Sequence, residues 1–124
     1  MALEPEKLDR SYQYGRMLAV LEKAERDTYD EDEKREPNAI RMMSVFAQRP
    51  QYAARIIWEQ VRSAYYPRLK PASRAFYEKL MQDICAMLSN FDEKELRRPL
   101  GETYLMGYYL QRKELYTKKE NGGK

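Results

Sequence analysis

The sequence predicts an all-α fold, a bundle of about five helices packed mostly against antiparallel neighbours, on three observations. Apolar residues recur at helical spacing along most of the chain. Glycine is scarce inside the chain, while prolines at 37, 50, 67, 71 and 99 punctuate it at intervals. No stretch alternates with period two for long enough to make a sheet, and the short loops between helical segments favour antiparallel neighbours.

The first helix is expected from about Pro5 to Tyr29. Pro5 suits a first-turn position, and Glu6 and Asp9 oppose the helix dipole there. Its apolar face reads Tyr14, Met17, Leu18, Leu21 and Ala24. The acidic run Asp30–Glu33 and Pro37 end it in an exposed loop. A short second helix, about Pro37 to Ala47, carries Ile40, Met43 and Ala47 on one stripe with Phe46 beside it. The third, about Pro50 to Tyr66, places Ala54, Ile57, Trp58, Val61 and Tyr65 on a buried face and stops at Pro67. The fourth, about Pro71 to Ser89, turns Phe76, Leu80, Ile84, Met87 and Leu88 inward. Asp92 with Glu95 three residues on reads as a capping box for a further turn. The last helix starts between Pro99 and Thr103 and reaches about Lys118. One domain over residues 1–119 follows, with 120–124 as a flexible tail.

Composition limits the function classes. The 124 residues are 43% hydrophobic and 35% charged, which suits a globular domain. No apolar run approaches the roughly 18 residues of a membrane helix. Glu4, Glu6 and Lys7 stand where a signal peptide needs an apolar core, so a cytoplasmic protein with no membrane partner is expected. The single cysteine, Cys85, allows no intrachain disulfide and sits among Ile84, Ala86 and Met87, which predicts an inert core thiol.

The chain has no histidine. That removes the commonest general base, the commonest metal ligand and every Ser-His or Cys-His nucleophile pair. Gly15, Gly101 and Gly107 are isolated and make no phosphate loop. Asp30 and Asp32 resemble the start of a calcium loop, but Arg35 and Arg41 occupy the positions that need glycine and glutamate. Glu22 with Glu25, and Glu78 with Asp83, are the only carboxylate pairs worth nominating. Each reads as surface charge pairing on a solvated helix face. The chain is therefore expected to be no enzyme, with no metal and no cofactor.

Charge is unevenly spread. Residues 1–36 hold seven basic and eleven acidic side chains, whereas residues 37–74 hold seven basic and one acidic. The central set is Arg41, Arg49, Arg55, Arg62, Arg68, Lys70 and Arg74. Arg55 and Arg62 lie seven apart, on one side of the third helix and about 10 Å apart along its axis. Tyr52 and Tyr66 stand near them as candidate stacking platforms. Arg68, Lys70 and Arg74 straddle the turn into the fourth helix, completing a candidate track for a phosphate backbone. The bland reading is a helix face charged for solubility, with Glu59 placed to neutralise Arg55 or Arg62. Arg97 and Arg98 read as a plain surface loop.

Three segments carry a resemblance. YQYGRMLAVLEKAE spans residues 12–25, FYEKLMQDI spans 76–84 and YLMGYYLQRKELYTKKE spans 104–120. The last resembles the closing "GYYHQRQALY" segment of the large subunit of the type I-C CRISPR Cascade complex. The first is similar to the "GRLLAVLE" helix that opens that subunit's C-terminal helical domain, and the middle one to its "YYEKLIGEI" helix. Leu110 stands where the family has histidine, and the loop after the first helix differs. That C-terminal domain is also made separately as the Cascade small subunit, and a chain with these limits looks like it. The resemblance implies a helical bundle that cuts nothing, since a separate helicase-nuclease does so. It would pack, in several copies, beside the large subunit and the backbone subunits that hold the guide RNA. Its implied role is to stabilise the R-loop through target DNA, on the displaced strand. A generic helical protein–protein adaptor without nucleic-acid binding is the alternative.

Overall fold

The computed structural model describes the backbone of residues 1–122 and the side chains of residues 1–117. Seven α-helices and no strand occur among the described residues. They are α1 (Arg10–Arg26), α2 (Asn38–Arg41), α3 (Met43–Gln48), α4 (Pro50–Gln60), α5 (Pro71–Leu88), α6 (Glu93–Arg97) and α7 (Thr103–Gly122). Among the described residues, no helix is long and apolar enough to cross a membrane.

The first helix starts five residues later than expected. Pro5 and Glu6 lie in a turn, and Asp9, in extended conformation, caps α1 by accepting the Tyr12 amide at 3.1 Å. A carboxylate cap satisfies an otherwise orphaned amide, whereas a first-turn proline only avoids having one. The same Asp9 carboxylate accepts the Thr103 hydroxyl at 2.9 Å, and Ser11 Oγ accepts the Gly101 amide at 2.8 Å. The starts of α1 and α7 are thus tied together.

Every residue of α1 from Ser11 to Glu25 is buried. This is the central helix, wrapped by α7, α5, α2, α4 and the turn after α4. Expected antiparallel packing describes α1 against α5, where Asp27 meets Tyr77 and Tyr14 lies in one cleft with Cys85 and Leu88. Against α7 the paired residues rise together: Tyr12 meets Gly107, Arg16 meets Gln111, Lys23 meets Tyr116. These two helices come from opposite ends of the chain and run parallel, free of the hairpin geometry that makes sequence neighbours antiparallel.

The core contains Leu18, Leu21, Phe46, Ile57, Val61, Met81 and Ile84. Phe46 from α3 sits edge-on to Tyr14 and stacked on Tyr104, with ring centroids 5.8 and 6.0 Å away. The two tyrosine hydroxyls reach backbone carbonyls, of Leu96 and Met43 respectively, both at 3.1 Å. Each ring is buried while its polar tip is satisfied.

Two expected faces shift. On α5 the buried residues are Tyr77, Met81, Ile84 and Leu88, so Phe76 is 40% exposed rather than inward. Tyr77 and Met81 take the inward positions expected for Phe76 and Leu80, with the Tyr77 hydroxyl hydrogen-bonded to Asp27, while Ile84 and Leu88 are buried as expected. The expected third helix is α4 followed by a π-helical turn at Val61–Tyr65 and a tight 3₁₀ turn at Tyr66–Arg68. This change of pitch before Pro67 buries Tyr65 and Tyr66 side by side. The expected second helix breaks at Met42 into α2 and α3. The capping box at Asp92 and Glu95 forms as expected and opens α6. The backbone of α7 continues through Gly122 instead of ending near Lys118. The tail expected at 120–124 otherwise lies outside the described residues.

Candidate nucleic-acid interface

Helix α4 buries Ala53, Ala54 and Ile57 and turns its other side to solvent. On that side Arg49, Tyr52, Arg55 and Arg62 are exposed, while Trp58 lies at its edge, partly buried against the core. The Arg49 guanidinium lies 4.2 Å from the Tyr52 ring centre, and that of Arg62 lies 5.4 Å from Trp58. Between these two cation–aromatic pairs, Arg55 is exposed and makes no ion pair among the described residues. Glu59 pairs with Arg62 at 3.4 Å and not with Arg55. Both partners are more than half exposed, so that pair contributes little to stability.

A cleft of about 310 Å³ opens at the start of α4, lined by Arg49, Gln51, Tyr52, Arg55 and Arg97. Arg97 comes from the end of α6. Its guanidinium donates to Gln51 Oε1 at 3.1 Å and pairs with Glu93. The Leu100 amide donates to the Ala47 carbonyl at 2.7 Å and ties the segment after α6 to α3. Pro50 gives α4 no first-turn amide, no side chain caps the helix, and no acidic residue stands in its first turn. The amides of Gln51 and Tyr52 therefore add positive potential at the same end.

An apolar cleft of about 350 Å³ adjoins, sharing Gln51 and Arg55 and lined also by Met17, Trp58, Leu88 and Leu96. Cys85 borders it, half-buried, with its thiol pushed up by burial and so held protonated.

The other expected basic residues are placed apart. Arg68 donates to the Thr28 carbonyl at 2.9 Å and so braces the end of α1. Arg41 is exposed and donates to Asn38. Lys70 precedes α5 and Arg74 lies on it, both exposed. Among the described residues, no hydrogen bond or ion pair joins these four to the cleft. Tyr66, expected as a stacking platform, is 4% exposed and offers no face to a base. Its hydroxyl is buried with no hydrogen-bond partner among the described residues, and burial pushes it up to about 12. Arg97, read from the sequence as plain surface, lines the cleft with Arg49 and Arg55, while Trp58, read as core, packs partly buried against the core as expected.

The carboxylates behave differently from expectation. Glu22 and Glu25 are buried, not solvated, because α1 is surrounded. Glu22 accepts from the Tyr108 hydroxyl and from Arg26 Nε at 2.8 Å, with Arg112 at 3.8 Å. Glu25 accepts from the Tyr29 hydroxyl and the Asn38 amide. Both accept hydrogen bonds inside the bundle. Glu78 and Asp83 are exposed as expected, Asp83 paired with Lys79 at 2.6 Å. No group of three or more acidic, histidine or cysteine side chains among the described residues could hold a metal ion.

The resembling segments meet in space at the α1–α7 crossing. A Cβ on Gly15 would fall 2.0 Å from the Tyr104 carbonyl oxygen, and one on Gly107 would fall 2.1 Å from that of Tyr12. One step along, the buried Arg16 donates to Gln111 Oε1, Gln13 Oε1 and the Pro5 carbonyl, each at 2.8 Å. Gly15 and Arg16 of the first segment and Gly107 and Gln111 of the last thus meet at one crossing. Comparison with curated proteins found no match. Comparison with protein families matched residues 1–116 to CRISPR-associated protein (Cas_Csd1). That span contains both glycines, Arg16, Gln111 and the whole cationic side of α4, and the chain belongs to this CRISPR Cascade-associated family.

Proposed function

We propose that the chain is the non-catalytic small subunit of a type I-C Cascade, and that it stabilises the R-loop by contacting the backbone of the displaced DNA strand. The observation that carries this reading is the cleft where Arg49, Arg55 and Arg97 converge on the uncapped start of α4. Guide–target pairing would read sequence, and this surface would supply sequence-independent charge. The large subunit, the backbone subunits and the guide RNA would be its neighbours, in an assembly holding several copies. Exposed Leu105, Met106 and Tyr109 on α7 give such neighbours an apolar face. That face also favours the second reading, a protein–protein adaptor without nucleic-acid binding.

Reversing Arg49, Arg55 and Arg62 to glutamate separates the two. All three are exposed, so the fold should survive. Under the first reading the assembled complex forms with the variant but opens target DNA poorly. The logarithmic salt slope of DNA binding should also flatten, by about 0.7 for each single-strand phosphate that the variant leaves unneutralised. Unchanged R-loop formation and unchanged salt dependence would leave the adaptor.

A further inference from the structure

We infer that the apolar cleft beside α4 binds a small amphipathic molecule, a medium-chain monocarboxylate whose aliphatic body lies against the core and whose head rests on Arg55. This site stands independently of any contact with DNA.

The cleft is built from core residues. It holds about 350 Å³ between α1, α4, α5 and α6, and its apolar lining is Tyr14, Met17, Ala54, Trp58, Leu88 and Leu96. Tyr14, Met17, Ala54 and Leu88 belong to the hydrophobic core, with Trp58 and Leu96 packed against it. The Tyr14 hydroxyl already donates to the Leu96 carbonyl at 3.1 Å, so that ring offers the cleft its apolar body. Apolar walls give ordered water few partners. A methylene takes roughly the 30 Å³ of a liquid water, so about ten carbons fill the space. Small-molecule sites combine such walls with a few placed polar groups.

The polar groups set the head. Among the described residues lining this cleft, Arg55 alone is charged, and Glu59 pairs with Arg62 instead of with it. Gln51 stands beside it, with its carbonyl oxygen taken by Arg97 at 3.1 Å and its amide left as a donor. A guanidinium and an amide donor at the rim of an apolar cleft suit one acceptor head with a single negative charge. Guanidinium meets carboxylate through two parallel hydrogen bonds. A cationic head would be repelled, and an uncharged one would gain only the burial of its chain. Arg49 and Arg97 line the polar cleft next door, where Arg97 is paired with Glu93, so nothing in the apolar cleft answers a second negative charge.

The test is titration of the full chain with octanoate, 1-octanol and octylamine, followed by calorimetry and by the emission of Trp58 in the cleft wall. Octanoate should bind saturably at one site, about tenfold more tightly than octanol, and octylamine more weakly than either. Affinity should rise about threefold for each methylene from hexanoate to octanoate. Arg55→Gln, at an exposed position, should weaken octanoate binding about tenfold and leave octanol binding unchanged. Cys85 borders the cleft, half-buried, so bound octanoate should slow its alkylation by N-ethylmaleimide. No saturable binding of octanoate, equal affinity for octanoate and octanol, or parent-like octanoate binding by Arg55→Gln would each overturn the inference. Binding that leaves the alkylation of Cys85 unchanged would put the ligand on another apolar face and overturn it too. Each of these measurements omits nucleic acid, so their failure leaves the DNA-contact reading standing, and normal R-loop opening by the arginine reversal leaves the carboxylate site standing.

Discussion

Gly15 on α1 and Gly107 on α7 each press against the other helix's backbone, Gly15 on Tyr104 and Gly107 on Tyr12. Two helices approach this closely only where side chains are absent. Glycine inside a helix costs about 1 kcal/mol relative to alanine, so both helices carry that cost to obtain the close approach.

Gly107→Ala should therefore destabilise despite its better helix propensity. The new Cβ would meet a backbone oxygen, which cannot rotate away, so the helices must separate and the Arg16–Gln111 hydrogen bond beside them must stretch. A net loss of about 2 kcal/mol is expected, from overpacking of a dense interface less the propensity gain. Gly15→Ala should behave alike. The urea midpoint measures it, and a midpoint equal to or above the parent's would show that the crossing has slack.

This crossing marks what was legible in the sequence and what was not. Helical periodicity gave the helices themselves, because apolar spacing in the third segment directly records which residues are buried. The glycines were visible only as isolated residues, since their meaning lies in a partner about 90 positions away. The burial of Glu22 and Glu25 was hidden for the same reason. Local charge pairing looks alike on a solvated helix and on one that other helices enclose. Only the wrapping of α1 by α7 and α2 decides between them. At the candidate site the arginines were legible, but Arg97 joins Arg49 and Arg55 through the docking of α6 on α4, which no local pattern encodes.

Glu22→Gln should cost about 2 kcal/mol of stability. The carboxylate sits 2% exposed between the Tyr108 hydroxyl, Arg26 and Arg112. Both arginines are about two-fifths exposed, so water screens most of the Coulombic part. The main loss is the charged acceptor for the buried Tyr108 hydroxyl. Tyr108→Phe should lose less in a Glu22→Gln background than alone. Additive losses in that double-mutant cycle would mean that the two side chains are not coupled.

Stability should fall on the alkaline side. Burial pushes the Tyr14 and Tyr66 phenols up to about 12, above the roughly 10 of an unfolded tyrosine. Between those values the folded chain holds protons that the unfolded chain releases, so unfolding becomes more favourable as pH rises. The contribution is intact below about pH 10 and is lost as pH passes about 12. Far-ultraviolet circular dichroism and tyrosinate absorbance should change together in that window for the buried tyrosines. Full tyrosinate absorbance in a chain that is still helical would contradict the burial of these rings.

Trp58 is the chain's single tryptophan, so its emission reports on the α4 ridge alone. It lines the apolar cleft beside Arg55, with the Arg62 guanidinium over its ring. A base entering that cleft would stack on the indole and quench it, whereas a phosphate held only by the outer arginines would leave it nearly unchanged. Saturable quenching by oligothymidylate is expected. Arg55→Gln should shift that midpoint to higher oligonucleotide concentration without lowering the final quench, because the arginine holds the strand and the indole reads the base. Removing Arg62, whose guanidinium already covers part of the ring, should change the emission of the free protein but preserve the quench on binding. Binding without any quench would confine the strand to the Arg49–Tyr52 end of α4 and remove Trp58 from the site.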